Sequence, residues 1–188
     1  MSFRRGFKAE ANEIGAEVRS EIGLEPLDRL DPRKLAAHLE IPILDLREMA
    51  RSAPALGHLL SVEPEVFSAV TVFRGTRRTI VHNDGHADVR QTSNLTHELA
   101  HGLLLHPPTA ALDDSGCRNW NQDLEDEATW LAGVLLVTEA ATIALVRSGW
   151  SLEQAARQYG VSQQMIRFRV NATGANRRVL RARGGRVR

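Results

Sequence analysis

His97-Glu98-Leu99-Ala100-His101 spells H-E-x-x-H. On a helix, residues four apart lie one above the other on the same face. His97 and His101 can therefore point at one metal ion. Glu98 projects about a quarter-turn away, beside an open coordination position, where it can take a proton from an attacking water. The residue types suit that chemistry: two neutral imidazoles hold Zn²⁺ and a carboxylate serves as base. The plainer alternative is a helix that merely carries two exposed histidines. The flanks favour a built helix. Thr92 or Ser93 can cap it, and Leu95, Leu99, Leu103 and Leu104 give it a buried side. Pro107-Pro108 ends it.

Two histidines need a third protein ligand to make a catalytic zinc site. The metzincin pattern would place Gly at 104 and His at 107, where this chain has Leu104 and Pro107, so that class is excluded. His106 reads as a polar end to the motif helix. The remaining source is the acidic run Asp123-Leu124-Glu125-Asp126-Glu127, which opens the next helix. Acids in a first turn also suit the helix dipole without any metal. Glu127 precedes the small Ala128 and lies four residues before Leu131, which places it on the packed side. It is the first choice of ligand, Glu125 the second, and Asp123 or Asp126 follow.

The whole chain reads as one domain of ordinary soluble composition, with 188 residues, 43% hydrophobic, 25% charged and a net charge of +1. Cys117 is the only cysteine, which excludes an intramolecular disulfide and suits a reducing compartment. The first residues carry no apolar signal-peptide core, and no apolar run reaches the ~18 residues of a membrane span. The expectation is a cytoplasmic protein without a membrane partner.

Phe7, Ala11, Ile14, Val18 and Ile22 predict an amphipathic helix ending near Gly23. Asp31-Pro32 starts a short helix through Leu39. Ile41 to Leu46 reads as a short or edge strand, and Pro54 to Gly57 as loop. Val66 to Arg74 and Arg77 to His82 read as a hairpin across Gly75-Thr76. Thr109 to Asn121 reads as a polar loop. Leu124 to Val137 is a strong helix. Thr138 caps another, which Gly149 stops. Ser151 to Gln154 is a capping box for a helix that ends at Gly160, and Ser162 caps the next.

The blocks His97-Glu-Leu-Ala-His101-Gly-Leu-Leu-Leu-His106, Glu125-Asp-Glu127-Ala128, Leu131-Ala132 and Leu135-Leu136 resemble the ImmA/IrrE metallopeptidase family. The stretch from Ala155-Ala156 through Tyr159-Gly160-Val161-Ser162 to Ile166 and Arg169 is similar as well. The likeness spans roughly residues 30 to 172. Trp130 and Thr138 depart from the family's usual Phe and Pro, and both read as packing variations. The resemblance implies zinc held by His97, His101 and Glu127, with Glu98 as general base. It also implies a narrow substrate, a helix-turn-helix transcriptional repressor whose cleavage relieves repression in a stress response or a mobile element.

Element order and resemblance together predict an α+β, zincin-like fold, with helices around a small, mostly antiparallel sheet of about three strands. Residues 1–149 would form the metallopeptidase domain. Residues 150–175 would form a helix-turn-helix-like hairpin packed on it, and residues 176–188 an Arg-rich disordered tail. His82, Arg90 and Tyr159 are candidates for a further donor to the transition state. The strand Arg77 to His82 could pair with an extended peptide. The rival expectation is a catalytically inactive regulatory or antitoxin-like protein. It would bind DNA or a protein partner through the hairpin, with Gln163, Gln164, Arg167 and Arg169 exposed. DNA binding is the less favoured of the two.

Overall fold

The computed structural model describes residues 3–63, 65–107 and 121–184. The expected polar loop with Gly116, and Cys117, lie outside the described residues apart from Asn121. In chain order the elements are α1 (Phe7–Glu21), α2 (Pro32–His38), β1 (Ile43–Asp45), α3 (Leu46–Ser52), a 3-10 turn (Pro54–Leu56) and α4 (Gly57–Ser61). Then come β2 (Ala69–Arg74), β3 (Arg77–His82), α5 (Asp88–Leu103), α6 (Gln122–Leu136) and α7 (Glu139–Ser148). The last three are α8 (Leu152–Tyr159), α9 (Gln163–Thr173) and α10 (Ala175–Gly184). This is the α+β architecture expected. Before β2, Pro54 to Gly57 is helical rather than loop, and the strand expected from Val66 begins at Ala69.

Local signals set most of the helix ends. Asp31 accepts from Arg33 N, Thr138 from Ala141 N and Ser162 from Met165 N. Ser151 and Gln154 form a complete capping box. Gly149 and Gly160 close their helices in the left-handed region. The motif helix α5 differs. It begins at Asp88, a turn before Thr92 and Ser93, and has no side-chain cap. Asp88 in the first turn suits the dipole, and Thr92 is buried within the helix.

The core forms where α5 lies along α6. Leu95, Leu99 and Ala100 meet Ala128, Leu131 and Leu135, all 2% exposed or less. Each fully buried leucine contributes about 1.5–3 kcal/mol. α1 covers the other side of α6 and comes so close at Gly15 that a Cβ there would sit 2.7 Å from Val134 Cγ1. Arg19 ties the two helices together. Its Nη1 donates to Leu135 O at 2.8 Å, and its Nη2 donates to Glu25 O at 2.9 Å and Asp28 O at 2.6 Å.

The sheet has the order β1-β3-β2, with β1 parallel and β2 antiparallel to β3. β3 is therefore central, and the expectation that Arg77 to His82 offers a free edge is corrected. Pairing of Ile43 with Ile80 covers that side of β3. The free edge beside α5 belongs to β2, which pairs only with β3 among the described residues.

The C-terminal helices pack on the body. Arg169, expected to be exposed, is 1% exposed; its Nε donates to Val137 O at 2.9 Å and its guanidinium lies 5.8 Å from the Trp130 ring. Burial pushes its pKa down to about 10, against the opposing pull of Glu139. The expected disordered tail is helical over Ala175–Gly184. Ala175 and Val179 are buried, Arg178 pairs with Glu139, and Arg183 Nη2 donates to Arg147 O. Residues 185–188 lie outside the described ones. No single described helix is long and apolar enough to cross a membrane.

Candidate active site

α5 presents His97 and His101 on one face, as their spacing requires, with Nε2 atoms 3.1 Å apart. Asn121 caps α6 by accepting from Asp123 N and Leu124 N, so the acidic run forms that helix's first turns. Glu125 Oε2 lies 3.1 Å from His97 Nε2, and Glu125 Oε1 lies 3.6 Å from His101 Nε2. One ligand atom from each of the three residues falls within 4.8 Å of the others. Burial alone raises the Glu125 carboxyl pKa. Hydrogen bonds and charge from His101 and His97 outweigh it and hold the group well below the usual carboxylate range.

Glu127, the first choice from sequence, lies elsewhere. Residues two apart on a helix point about 200° apart, so Glu125 and Glu127 cannot share a partner. Ten of the 15 residues of α6 are buried, so facing inward did not single out the histidine pair. Glu127 does face inward, but toward His106 Nε2 at 3.5 Å and Arg4 Nε at 3.2 Å. His106, read as a polar end to the motif helix, does follow that helix, and it is buried against the site. It is 7% exposed, and its Nδ1 lies 2.9 Å from His101 Nδ1. Burial, then the charge of His101, pushes the His106 pKa down, while Glu127 opposes the shift. Asp123 and Asp126 do not join the cluster.

A cleft of about 380 Å³ opens beside these groups, lined by Ser68, by Ala69 at the start of β2, by Asn94, His97 and Glu98, and by Glu125. Thr71 Oγ1 donates to Glu98 Oε2 at 2.6 Å and fixes that carboxylate in the cleft. The alternating burial of β2 turns Ala69, Thr71 and Phe73 toward α5. Asn94 lies three residues before His97, hence on the same side of α5. Its Nδ2 is buried without a hydrogen-bond partner among the described residues. Thr129 Oγ1 lies 3.5 Å from His97 Nδ1. Sequence reading missed all three. Helical spacing could have found Asn94, whereas Thr71 and Thr129 reach the site only through tertiary packing.

The proposed auxiliary donors are engaged with other partners and do not line the cleft. His82 is fully buried, with Nε2 at 2.6 Å from Asp45 Oδ1 and 2.9 Å from Arg33 Nη2. Arg90 pairs with Glu65 and donates to Ser68 Oγ at 3.0 Å. Tyr159 Oη donates to Leu27 O at 3.2 Å.

Comparison with family profiles matches residues 56–171 to the IrrE N-terminal-like domain, Peptidase_M78. That is more than half of the chain. The chain belongs to this family. The match to the IrrE N-terminal-like domain runs from the 3-10 turn into α9. It contains Thr71, Asn94, both motif histidines, Glu98, Glu125 and Glu127, and leaves α1, α2, β1 and α10 outside. The family is one of peptidases. No curated protein matches the chain.

Proposed function

We propose that this member of the IrrE N-terminal-like family is a zinc-dependent endopeptidase of the cytoplasm. The observation that carries the reading is the convergence of His97 Nε2, His101 Nε2 and the Glu125 carboxylate, with His97, Glu98 and Glu125 lining one open cleft. The donor set fits: two imidazoles and a carboxylate are what a catalytic zinc site with an open position uses. When bound there, zinc supplies Lewis acidity toward a carbonyl and lowers the pKa of water.

The chain's own residues do the rest. Glu98 takes the proton of the attacking water and passes it to the leaving amine. Thr71 holds Glu98 Oε2, which leaves Oε1 to receive that proton. Asn94 lines the cleft, and its buried Nδ2 has no hydrogen-bond partner among the described residues, so a shift of this side chain would let it bind a substrate carbonyl. The free edge of β2 starts at the same cleft, where Ala69 lines it, and can pair with an extended peptide. These features suit an extended linker of a folded protein better than a folded surface. The proposed substrate is a helix-turn-helix repressor, as the resemblance implies, and its cleavage would relieve repression. A second reading, a regulatory DNA-binding protein, draws on Gln163, Gln164 and Arg167, which α9 exposes.

The test is incubation of the zinc-loaded protein with candidate repressors, with products read by mass spectrometry. Cleavage by the wild type, abolished in Glu98→Gln while zinc is retained, supports the proposal. Cleavage retained in Glu98→Gln removes Glu98 from the mechanism. No cleavage of any repressor, together with DNA binding that weakens steeply with salt, favours the second reading.

A further inference from the structure

The residues that sequence reading took for a ligand and for a helix end form one continuous chain with the N-terminus. We propose that His106, Glu127 and Arg4 are positioning residues that fix the ring of His101 and so extend the metal centre to the N-terminal segment. This rests on the zinc site proposed above and deepens it.

Donors and acceptors match along the chain from His101 to Arg4. His101 turns Nε2 toward His97 and Glu125, so the proton of its neutral ring must sit on Nδ1. That atom faces His106 Nδ1 at 2.9 Å, which must then accept. His106 is left with its proton on Nε2, and that atom faces Glu127 Oε2 at 3.5 Å. Glu127 Oε1 in turn lies 3.2 Å from Arg4 Nε. Every donor meets an acceptor in one direction only. The opposite tautomer of His106 would set two N–H groups against each other at 2.9 Å.

Three further observations show that the chain is built in. Leu105 adopts φ 53°, where helices commonly use glycine, and this turns the backbone so that His106 N donates to His101 O. The side chains of His106 and Glu127 are 7% and 11% exposed, so water cannot readily replace either partner. Arg4 is held on its other side by a two-pronged contact to Glu10, at 2.5 and 2.8 Å. The neighbouring Phe3 packs on Phe7 and Trp130, both at 5.1 Å between ring centroids. Arg4 lies outside the residues matched to the family, whereas His101, His106 and Glu127 lie within them.

Outer partners of this kind commonly change metal affinity tenfold to a hundredfold. The experiment is zinc affinity of the purified full chain by chelator competition, for wild type, His106→Ala, Glu127→Gln, Arg4→Ala and Arg4→Lys. Visible absorption of the cobalt-substituted proteins gives a second readout that a purely structural role would not move. The expected result is one zinc per wild-type chain, with Kd raised about tenfold to a hundredfold in His106→Ala and Glu127→Gln and a changed cobalt spectrum. Arg4→Ala should cost less than about tenfold because that side chain is half exposed, and Arg4→Lys should recover most of it. Glu127→Gln preserves shape, so its result stands even if His106→Ala folds poorly. A wild type with one zinc, and variants within about twofold of it with unchanged cobalt spectra, would overturn the chain while leaving the zinc site intact. Loss of zinc in Glu127→Gln but not in Glu125→Ala would overturn it by making Glu127 a ligand. A wild type that binds no zinc would remove the site itself, and this inference with it.

Discussion

Arg19→Ala removes the side chain that joins α1 to the end of α6. Arg19 is 2% exposed and donates to three backbone carbonyls. Those of Glu25 and Asp28 belong to exposed residues, so water can replace the lost donor. The Leu135 carbonyl is buried in the last turn of α6, where helix carbonyls lack partners of their own. Leaving it unsatisfied costs about 1–3 kcal/mol. The lost stem leaves a cavity between α1 and α6, and such long-to-Ala deletions cost about 2–5 kcal/mol. Relief of the buried charge offsets part of this, since burial already lowers the Arg19 pKa. A net loss of about 3 kcal/mol follows, or roughly 6–12 °C in Tm for a chain of this size. Arg19→Met keeps the stem and should lose only about 1–2 kcal/mol. Urea unfolding followed by circular dichroism, on metal-free protein, measures both without a contribution from bound zinc. A loss below about 1 kcal/mol in Arg19→Ala would refute the reasoning. So would equal losses in the two variants, because the carbonyl and packing contributions would not then be separable.

Gly15→Ala should destabilise by about 1–2 kcal/mol despite its better helix propensity, because the new Cβ meets Val134 Cγ1 at 2.7 Å. Adding Val134→Ala should return part of the loss, and strict additivity in unfolding experiments would count against the contact. Thr71→Val should leave zinc content unchanged and lower kcat/KM about 10- to 100-fold, the cost of a hydrogen bond to a charged group, while Thr71→Ser keeps most activity. Activity of the Val variant near that of wild type would remove Thr71 from the site. Asp45 titrates below the ordinary aspartate value: burial raises it, and hydrogen bonds from Arg33 and His82 more than reverse that. The stability it adds is complete above about pH 4 and is lost as pH falls through its lowered folded pKa. Asp45→Asn should therefore flatten stability against pH below that point, and an unchanged acid limb would contradict the assignment.

What could be read from the sequence was what short-range physics decides. The caps at Asp31, Thr138, Ser151 and Ser162, the stops at Gly149 and Gly160, and the hairpin across Gly75-Thr76 all depend on residues within a turn of one another. The same is true of His97 and His101, whose spacing alone makes them share a face. Apart from the helical turn at Pro54 to Gly57 and the start of α5, the misreadings needed a distant partner. Pairing of Ile43 with Ile80 makes β3 central, and nothing near β3 announces it. Glu125 and Glu127 look alike in a helix buried almost all round, and they are told apart only by His97 on one side and Arg4 on the other. Arg169 read as exposed because arginine usually is, yet Val137 O and the Trp130 ring give it a buried place. α10 has a weak apolar pattern and owes its order to α7, through Val179 and the Arg178–Glu139 pair.

The central claim is that His97, His101 and Glu125 hold one metal ion, with Glu127 a step further out. The most direct test is zinc affinity by chelator competition in Glu125→Ala and Glu127→Gln measured side by side. The account predicts one zinc per wild-type chain, a large loss of affinity in Glu125→Ala and a smaller one in Glu127→Gln. The reverse order, with Glu127→Gln losing zinc and Glu125→Ala keeping it, would contradict it.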